Sequence, residues 1–174
     1  PECYDKLGTY AQMNPPLRSK EHYDRLWVAI KNNIVDVLGS DHAPHLKINK
    51  DKVYPETPSG MPGVQTIFPV MIDHVNNGKL TLTQLINLMC ENPCRIFGIK
   101  NKGFIKEGFD ADLTIVDMKK EVIIKNEMIA SKCGWTPFHN YKVKGFPVGT
   151  IVNGILVMHD GKILAKSKGR PLEF

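Results

Sequence analysis

The sequence predicts an α/β segment followed by a β-rich segment. Apolar residues recur at helical spacing in three stretches before residue 98, and a short run rich in β-branched residues, 34–38, follows the first stretch. From Gly103 onward the pattern changes to short strands separated by turns. The change near residues 100–103 therefore marks a boundary between residues 1–98 and residues 99–174.

The first segment is expected to begin irregularly and then to alternate helix and strand. Residues 1–18 are rich in Pro and Gly, and two consecutive prolines exclude a helix around them. Ser19 is a suitable N-cap for an amphipathic helix over residues 19–31. Residues 34–38 have the length and composition of a buried parallel strand.

A polar loop over residues 46–62 separates this strand from two further helices. The spacing predicts these helices over 63–75 and 81–91, the second ending before Pro93. In the second segment the pattern predicts a turn at Asp160-Gly161 and strands at 113–117, 122–124, 149–158 and 162–165.

Composition excludes several classes of protein. The chain has 174 residues, of which 42% are hydrophobic and 24% charged, so it is neither disordered, collagen-like nor a coiled coil. It is shorter than the roughly 250 residues of a complete (β/α)8 barrel. It has no apolar run of membrane-spanning length, so no membrane partner is expected. The net charge is +5, but the basic residues form no aromatic-flanked stripe, so we expect no nucleic-acid partner.

The cysteines and the first residue suggest the setting of the chain. The four cysteines form no C-x-x-C pair, which favours a reducing, cytoplasmic compartment. The sequence begins at Pro1 without an initiator Met or a signal-peptide pattern. We therefore expect the chain to be a fragment of a longer protein.

The run Asp41-His42-Ala43-Pro44-His45 follows the predicted strand directly. Active sites of α/β folds gather at the C-terminal ends of strands, so this carboxylate and these two imidazoles are candidates for a metal or catalytic site. The alternative is a turn capped by Asp41, with both histidines merely packed or solvated. Two segments with rigid backbones, 14–18 and 58–63, flank the same strand end and favour a site.

These residues resemble the dihydroorotases, which belong to the amidohydrolase superfamily. The most specific parts of the resemblance are Asn-Pro-Pro-Leu-Arg at 14–18 and Asp-His-Ala-Pro-His at 41–45, because related hydantoinases and allantoinases usually carry other residues after the Asp-His pair. The resemblance covers essentially the whole chain. Its other segments are 59–66, 92–98, 103–113, 132–138 and 149–154.

The resemblance implies a fold and an activity. Residues 1–98 would be the C-terminal part of a (β/α)8 TIM-like barrel, and residues 99–174 a small β-sandwich segment. The activity would be that of a cytoplasmic, zinc-dependent cyclic amide hydrolase of pyrimidine biosynthesis, with one or two zinc ions. It would interconvert N-carbamoyl-L-aspartate and L-dihydroorotate.

The resemblance also implies roles for individual residues. Asp41 would contact the metal and act as the general base that takes a proton from metal-activated hydroxide. Asn14 and His45 would contact the substrate, His45 through the substrate carboxylate. The backbone around Ser59 and Gly60 would hydrogen-bond the pyrimidine ring.

The family's remaining metal-binding residues have no counterpart in this sequence. A catalytic zinc has three protein ligands plus water, so the chain alone is expected to be inactive and to need the N-terminal part of the same enzyme as its partner. A homodimer is a further expected assembly. Two alternatives remain open: an inert scaffold that binds aspartate transcarbamoylase, and another cyclic amide hydrolase of the hydantoinase or allantoinase type.

Overall fold

The structure, a computed structural model, describes residues 2–165 and 169–174 of the chain. Pro1, on which the expectation of a fragment partly rests, lies outside the described residues. The helices are α1 Glu2–Leu7, α2 Lys20–Lys31, α3 Lys47–Lys50, α4 Ile67–Asn76, α5 Leu82–Ile86 and α6 Asn92–Phe97. The strands are β1 Leu113–Ile123, β2 Lys142–Val152, β3 Ile155–His159 and β4 Lys162–Ile163. None of the helices described is both long and apolar enough to cross a membrane.

The first residues are more regular than predicted. The prediction of an irregular segment over 1–18 is wrong for Glu2–Leu7, which is helix α1, and for Gly8–Ala11, which forms a 3-10 turn. The prolines that exclude a helix come only after this turn, and acidic residues in the first turn of α1 suit a helix N-terminus. Helix α2 is confirmed, with Ser19 at its N-cap in an extended conformation.

The predicted strand at 34–38 is wrong for the residues described. The sequence pattern correctly identified an apolar segment, because Val35 and Leu38 pack against the helical core. A strand, however, requires a hydrogen-bonded neighbour, and the Leu38 N–H donates instead to the Leu88 carbonyl of a helix at 3.1 Å. Ile34 is 70% exposed, so one part of this apolar segment has no cover within the described chain.

The two helices predicted over 63–75 and 81–91 are confirmed with different ends. Thr81 caps α5 through a capping box with Gln84. The helix does not stop before Pro93, because a π-helical turn, Asn87–Glu91, leads directly into α6. Pro93 lies in the first turn of α6.

The β-rich segment forms one antiparallel sheet of strand order β1-β2-β3-β4. Strand β1 joins the two strands predicted at 113–117 and 122–124, with a shift in register between Asp117 and Glu121. The single strand predicted at 149–158 is two strands, because Asn153 and Gly154 both have positive φ and form a turn. The turn at Asp160-Gly161 is confirmed.

Helix α4 lies between the other helices and the sheet. One face contributes Met71 and Ile72 to a core shared with α2 and α5, and the other contributes Val70 to a second core with the sheet residue Val143. The buried Asp73 accepts a hydrogen bond from the Lys144 N–H at 2.9 Å, which joins α4 to β2. The two segments distinguished in the sequence are therefore in direct contact through α4.

Candidate functional site

The 58–64 loop lies alongside the 40–45 segment. The Ala43 N–H donates to the Met61 carbonyl at 2.9 Å, and His42 and Met61 form an isolated parallel bridge. His42 Nδ1 accepts hydrogen bonds from the N–H groups of Gly63 at 3.1 Å and Val64 at 3.3 Å. The imidazole of His42 therefore anchors the loop, and its ring proton must reside on Nε2.

Three of the residues predicted to contact the substrate, His45, Ser59 and Gly60, lie together. His45 Nε2 is 3.0 Å from the Ser59 carbonyl oxygen, which can only accept, so this nitrogen carries a proton. A Cβ on Gly60 would lie 3.5 Å from His45 Nε2 and only 2.5 Å from the Ala43 Cβ. Glycine at position 60 therefore allows the two segments to approach closely.

Asn14 faces a cleft of about 540 Å³ that Ser59 also lines. The peptide bond between Asn14 and Pro15 is cis, and the Asn14 side chain is exposed. Tyr4, Gln12 and Tyr54 are among the other lining residues. The volume is that of a pocket for a small molecule.

Some polar groups of Ser59 and Gly60 already form hydrogen bonds within the chain. The Gly60 N–H donates to the Gln12 carbonyl at 2.9 Å, and the Ser59 carbonyl accepts from His45. Within residues 2–165 and 169–174, the Ser59 N–H, the Gly60 carbonyl and the Asn14 amide have no hydrogen-bond partner. Of these residues, Asn14 and Ser59 line the cleft.

Asp41 lies at the beginning of the segment that pairs with the loop. It is exposed and has φ +42, a left-handed conformation that a non-glycine residue seldom adopts. No described residue hydrogen-bonds its carboxylate. The neighbouring Ser40 packs on Gly63, since a Cβ added to Gly63 would lie 2.6 Å from the Ser40 carbonyl oxygen. The carboxylate is thus held at the edge of the loop with its lone pairs unoccupied.

Lys50 was not predicted as part of the site, yet it is completely buried beneath it. Its ammonium donates to the carbonyls of Pro58 at 2.8 Å and Gln12 at 3.3 Å. Burial lowers the pKa of Lys50 below its ordinary value. The sequence carries no signal for this arrangement, because a lysine in a polar loop is normally solvated.

Trp135 links the β-rich segment to the site. Its Nε1–H donates to the His45 carbonyl at 2.8 Å, and its ring lies 5.8 Å from the Lys50 Nζ and edge-on to Tyr10. Tyr10 donates to the Asp51 carboxylate; burial, that hydrogen bond and the Asp51 charge together raise the pKa of Tyr10 to about 12. The sequence carries no signal for this hydrogen bond to His45, which joins residues 90 positions apart.

The residues described do not complete a zinc site. A catalytic zinc takes three protein ligands plus water, and the part of the chain that the structure describes contains no group of three or more His, Cys, Asp or Glu side chains placed to hold a metal ion. Nδ1 of His42 and Nε2 of His45 are already hydrogen-bonded to the loop.

Comparison with known proteins identifies the family. Residues 5–157 match the model of the Amidohydrolase family. The chain belongs to this family. Among curated amidohydrolases, a dihydroorotase from Pyrococcus furiosus is 43% identical over 166 residues, covering 95% of this chain. A dihydroorotase from Methanothermobacter thermautotrophicus is 37% identical over 162 residues, covering 93% of this chain. The chain spans 38% and 37% of the length of these two relatives.

Solved amidohydrolase structures share the fold. The L-hydantoinase (dihydropyrimidinase) from Arthrobacter aurescens superposes with a TM-score of 0.88 at 34% identity, covering 95% of this chain and 38% of that chain. The dihydropyrimidinase from Brevibacillus agri NCHU1002 gives a TM-score of 0.87 at 26% identity, covering 94% of this chain and 37% of that chain. The α/β fold class and the resemblance to dihydroorotases are confirmed.

Proposed function

We propose that the chain is the C-terminal part of a dihydroorotase, which interconverts N-carbamoyl-L-aspartate and L-dihydroorotate in the cytoplasm during pyrimidine biosynthesis. The observation that carries the proposal is the contact of His45 with Ser59 and Gly60, next to the cleft that Asn14 and Ser59 line, on the segment that begins with Asp41. Sequence relatives named dihydroorotase over nearly the whole chain support it. Residues 1–98 would be the last part of a TIM-like barrel, and residues 99–174 the β-sandwich segment.

Asp41 is the proposed general base. Its carboxylate is exposed and has no hydrogen-bond partner among the described residues, so it is free to accept a proton and to return it to the leaving amide nitrogen. Its neighbours Ser40 and His42 are both fixed against Gly63, which limits the movement of the backbone on either side. This restraint holds the carboxylate at one position along the loop.

The substrate-binding roles follow from the groups that remain free. The Ser59 N–H is a donor and the Gly60 carbonyl an acceptor, and an imide ring presents both a carbonyl and an N–H. The Asn14 amide, which also lines the cleft, can donate or accept. His45 has only Nδ1 available, and a substrate carboxylate bound there requires a proton on that nitrogen.

The proposed cofactor is one or two zinc ions, with Asp41 as one ligand. The other ligands would come from the part of the enzyme that corresponds to the relatives' remaining length, since the chain spans 38% of the Pyrococcus furiosus dihydroorotase. Apolar side chains such as Ile34 and Leu26, 70% and 61% exposed, would be covered by that same part. The chain alone would then be inactive.

A second candidate is a hydantoinase, because the fold superposes on an L-hydantoinase over 95% of the chain. The test compares turnover of dihydroorotate, hydantoin and allantoin by the complete polypeptide that contains this chain. Asp41→Asn should reduce dihydroorotate turnover by about 10²–10⁴-fold. The control is Asp36→Asn, an exposed carboxylate five residues earlier, which should leave turnover unchanged.

Each outcome of this comparison has a distinct meaning. Faster turnover of hydantoin than of dihydroorotate would replace the proposed activity by the second candidate. Near-normal dihydroorotate turnover in the Asp41→Asn variant would remove the general-base role. A polypeptide that hydrolyses none of the three but binds aspartate transcarbamoylase would be an inert scaffold.

A further inference from the structure

Lys50 is a buried cation without a carboxylate partner. It belongs to the short helix α3, and its side chain is 0% exposed. Within the described residues, no Asp or Glu oxygen lies within ion-pair distance of its Nζ. The charge is compensated by the carbonyls of Pro58 and Gln12 and by the face of Trp135. Burying a lysine ammonium is costly unless its N–H groups are hydrogen-bonded, as two of them are here.

The two carbonyls belong to the two segments that carry proposed substrate contacts. Gln12 precedes Asn14 by two residues, and its carbonyl also accepts from the Gly60 N–H. Pro58 directly precedes Ser59. The ammonium therefore joins the segment that carries Asn14 to the segment that carries Ser59 and Gly60. The Gln12 side chain adds bonds to the Thr57 carbonyl at 2.9 Å and the Ser59 hydroxyl at 3.4 Å.

The backbone of Lys50 adds further ties to the same segments. Its carbonyl accepts from the Thr9 hydroxyl at 2.6 Å and from the Thr57 hydroxyl at 3.4 Å. Trp135, over which the ammonium lies, holds the His45 carbonyl. Asn14, Ser59 and Gly60 thus lie one or two residues from a carbonyl that the Lys50 ammonium binds, and His45 is itself bound by Trp135.

We propose that Lys50 is a positioning residue. Through the carbonyls of Gln12 and Pro58 it sets the spacing between the segment that carries Asn14 and the segment that carries Ser59 and Gly60. The inference rests on the proposed function for the identity of the substrate. Lys50 itself does not contact substrate, because it is fully buried. Since Asp41 lies on a different segment, loss of the ammonium should weaken substrate binding far more than it slows the chemical step.

The test is steady-state kinetics with dihydroorotate on the complete polypeptide. Lys50→Met keeps the length of the side chain and removes every donor. It should raise KM about tenfold, the effect of losing one charge-assisted hydrogen bond, with kcat within about threefold. Lys50→Gln is close to Met in size but retains two N–H donors, so its KM should fall between those of the parent and Lys50→Met.

The control variant is Lys47→Met, which removes an exposed charge from the same helix and should leave KM unchanged. If Lys50 acted through packing alone, the Lys50→Met and Lys50→Gln variants would have equal KM values, because the two side chains have similar volumes. Equal KM values for the parent and a folded Lys50→Met variant would overturn the proposal. If Lys50→Met does not fold, the comparison of Lys50→Gln with the parent decides in the same way.

A separate readout distinguishes this proposal from the proposed function. If the parent does not turn over dihydroorotate, the proposed function fails, and ¹⁵N NMR of the His45 ring then tests the positioning role. The Nε2 resonance reports the hydrogen bond to Ser59, so it should shift in Lys50→Gln and not in Lys47→Met. An unchanged resonance in Lys50→Gln would overturn the positioning role independently of any substrate.

Discussion

Replacing Gly60 by alanine tests the close contact on which the candidate site depends. The new Cβ would lie 2.5 Å from the Ala43 Cβ and 3.5 Å from His45 Nε2. Gly60 also has φ +124, a conformation that residues with a side chain rarely adopt. The substitution therefore introduces a steric clash and backbone strain at the same position.

The two effects have separate magnitudes. Strain of this kind costs about 1–3 kcal/mol. Inserting a methyl group into a closely packed contact costs typically about 1–3 kcal/mol more. Gly60→Ala should therefore lower the free energy of unfolding by about 2–6 kcal/mol. Gly108→Ala supplies the control, because Gly108 has φ +85 but open space around the position of its Cβ, and only strain should appear.

The assay is urea unfolding followed by far-ultraviolet circular dichroism on the parent and each variant. The double variant Gly60→Ala/Ala43→Gly removes the clash and should recover about 1–2 kcal/mol of the loss, since glycine at 43 itself costs up to about 1 kcal/mol. An unfolding free energy for Gly60→Ala within about 0.5 kcal/mol of the parent, well inside the range of harmless surface changes, would refute the close approach of the two segments.

Three further predictions concern the contact of α4 with its neighbours. Gly145→Ala should destabilise the fold by about 2–5 kcal/mol in the same urea assay, because its Cβ would lie 2.1 Å from Ile72 Cγ2 and Gly145 has φ +95; a loss below about 1 kcal/mol would contradict the packing. Asp73→Ala should cost about 1–3 kcal/mol in thermal unfolding, since it leaves the Lys144 N–H without its acceptor, and an unchanged melting temperature would count against that bond. Burial lowers the pKa of His74 in the folded protein below its ordinary 6.5, so the unfolded chain binds more protons and stability should fall as the pH drops below about 6.5. His74→Gln should flatten this part of the profile, and an equal acid dependence in both proteins would contradict the assignment.

The sequence predicted the elements whose signal is local. Helix α2 and the turn at Asp160-Gly161 were predicted from helical spacing and turn residues, which act within a few positions. The segment at 34–38 was read as a strand because its composition is apolar and β-branched. A strand is defined by its neighbours, and the neighbour of Leu38 within the described chain is a helix carbonyl.

Sequence motifs predicted part of the candidate site. Asn14, His45, Ser59 and Gly60 were identified by resemblance, and the structure brings the last three into contact. The contribution of Lys50 was not predictable, because its two acceptors are backbone carbonyls at positions 12 and 58, and backbone groups leave no trace in a sequence pattern.

The bond from Trp135 to His45 was missed for a related reason. The two residues are 90 positions apart, and only the fold brings the indole to the His45 carbonyl. The anchoring of the loop by His42 is likewise invisible in the sequence, since its partners are the backbone N–H groups of Gly63 and Val64. Side chains that bind backbone groups therefore account for most of what sequence reasoning left out of the site.

The central claim is that this chain forms only part of a zinc-dependent dihydroorotase. The most direct test is native mass spectrometry of the protein purified from its own cells, followed by denaturing mass determination and a dihydroorotate assay of the same sample. The account predicts an active species that contains further polypeptide besides these 174 residues, together with one or two zinc masses. A zinc-free species made of this chain alone that turns over dihydroorotate would contradict it.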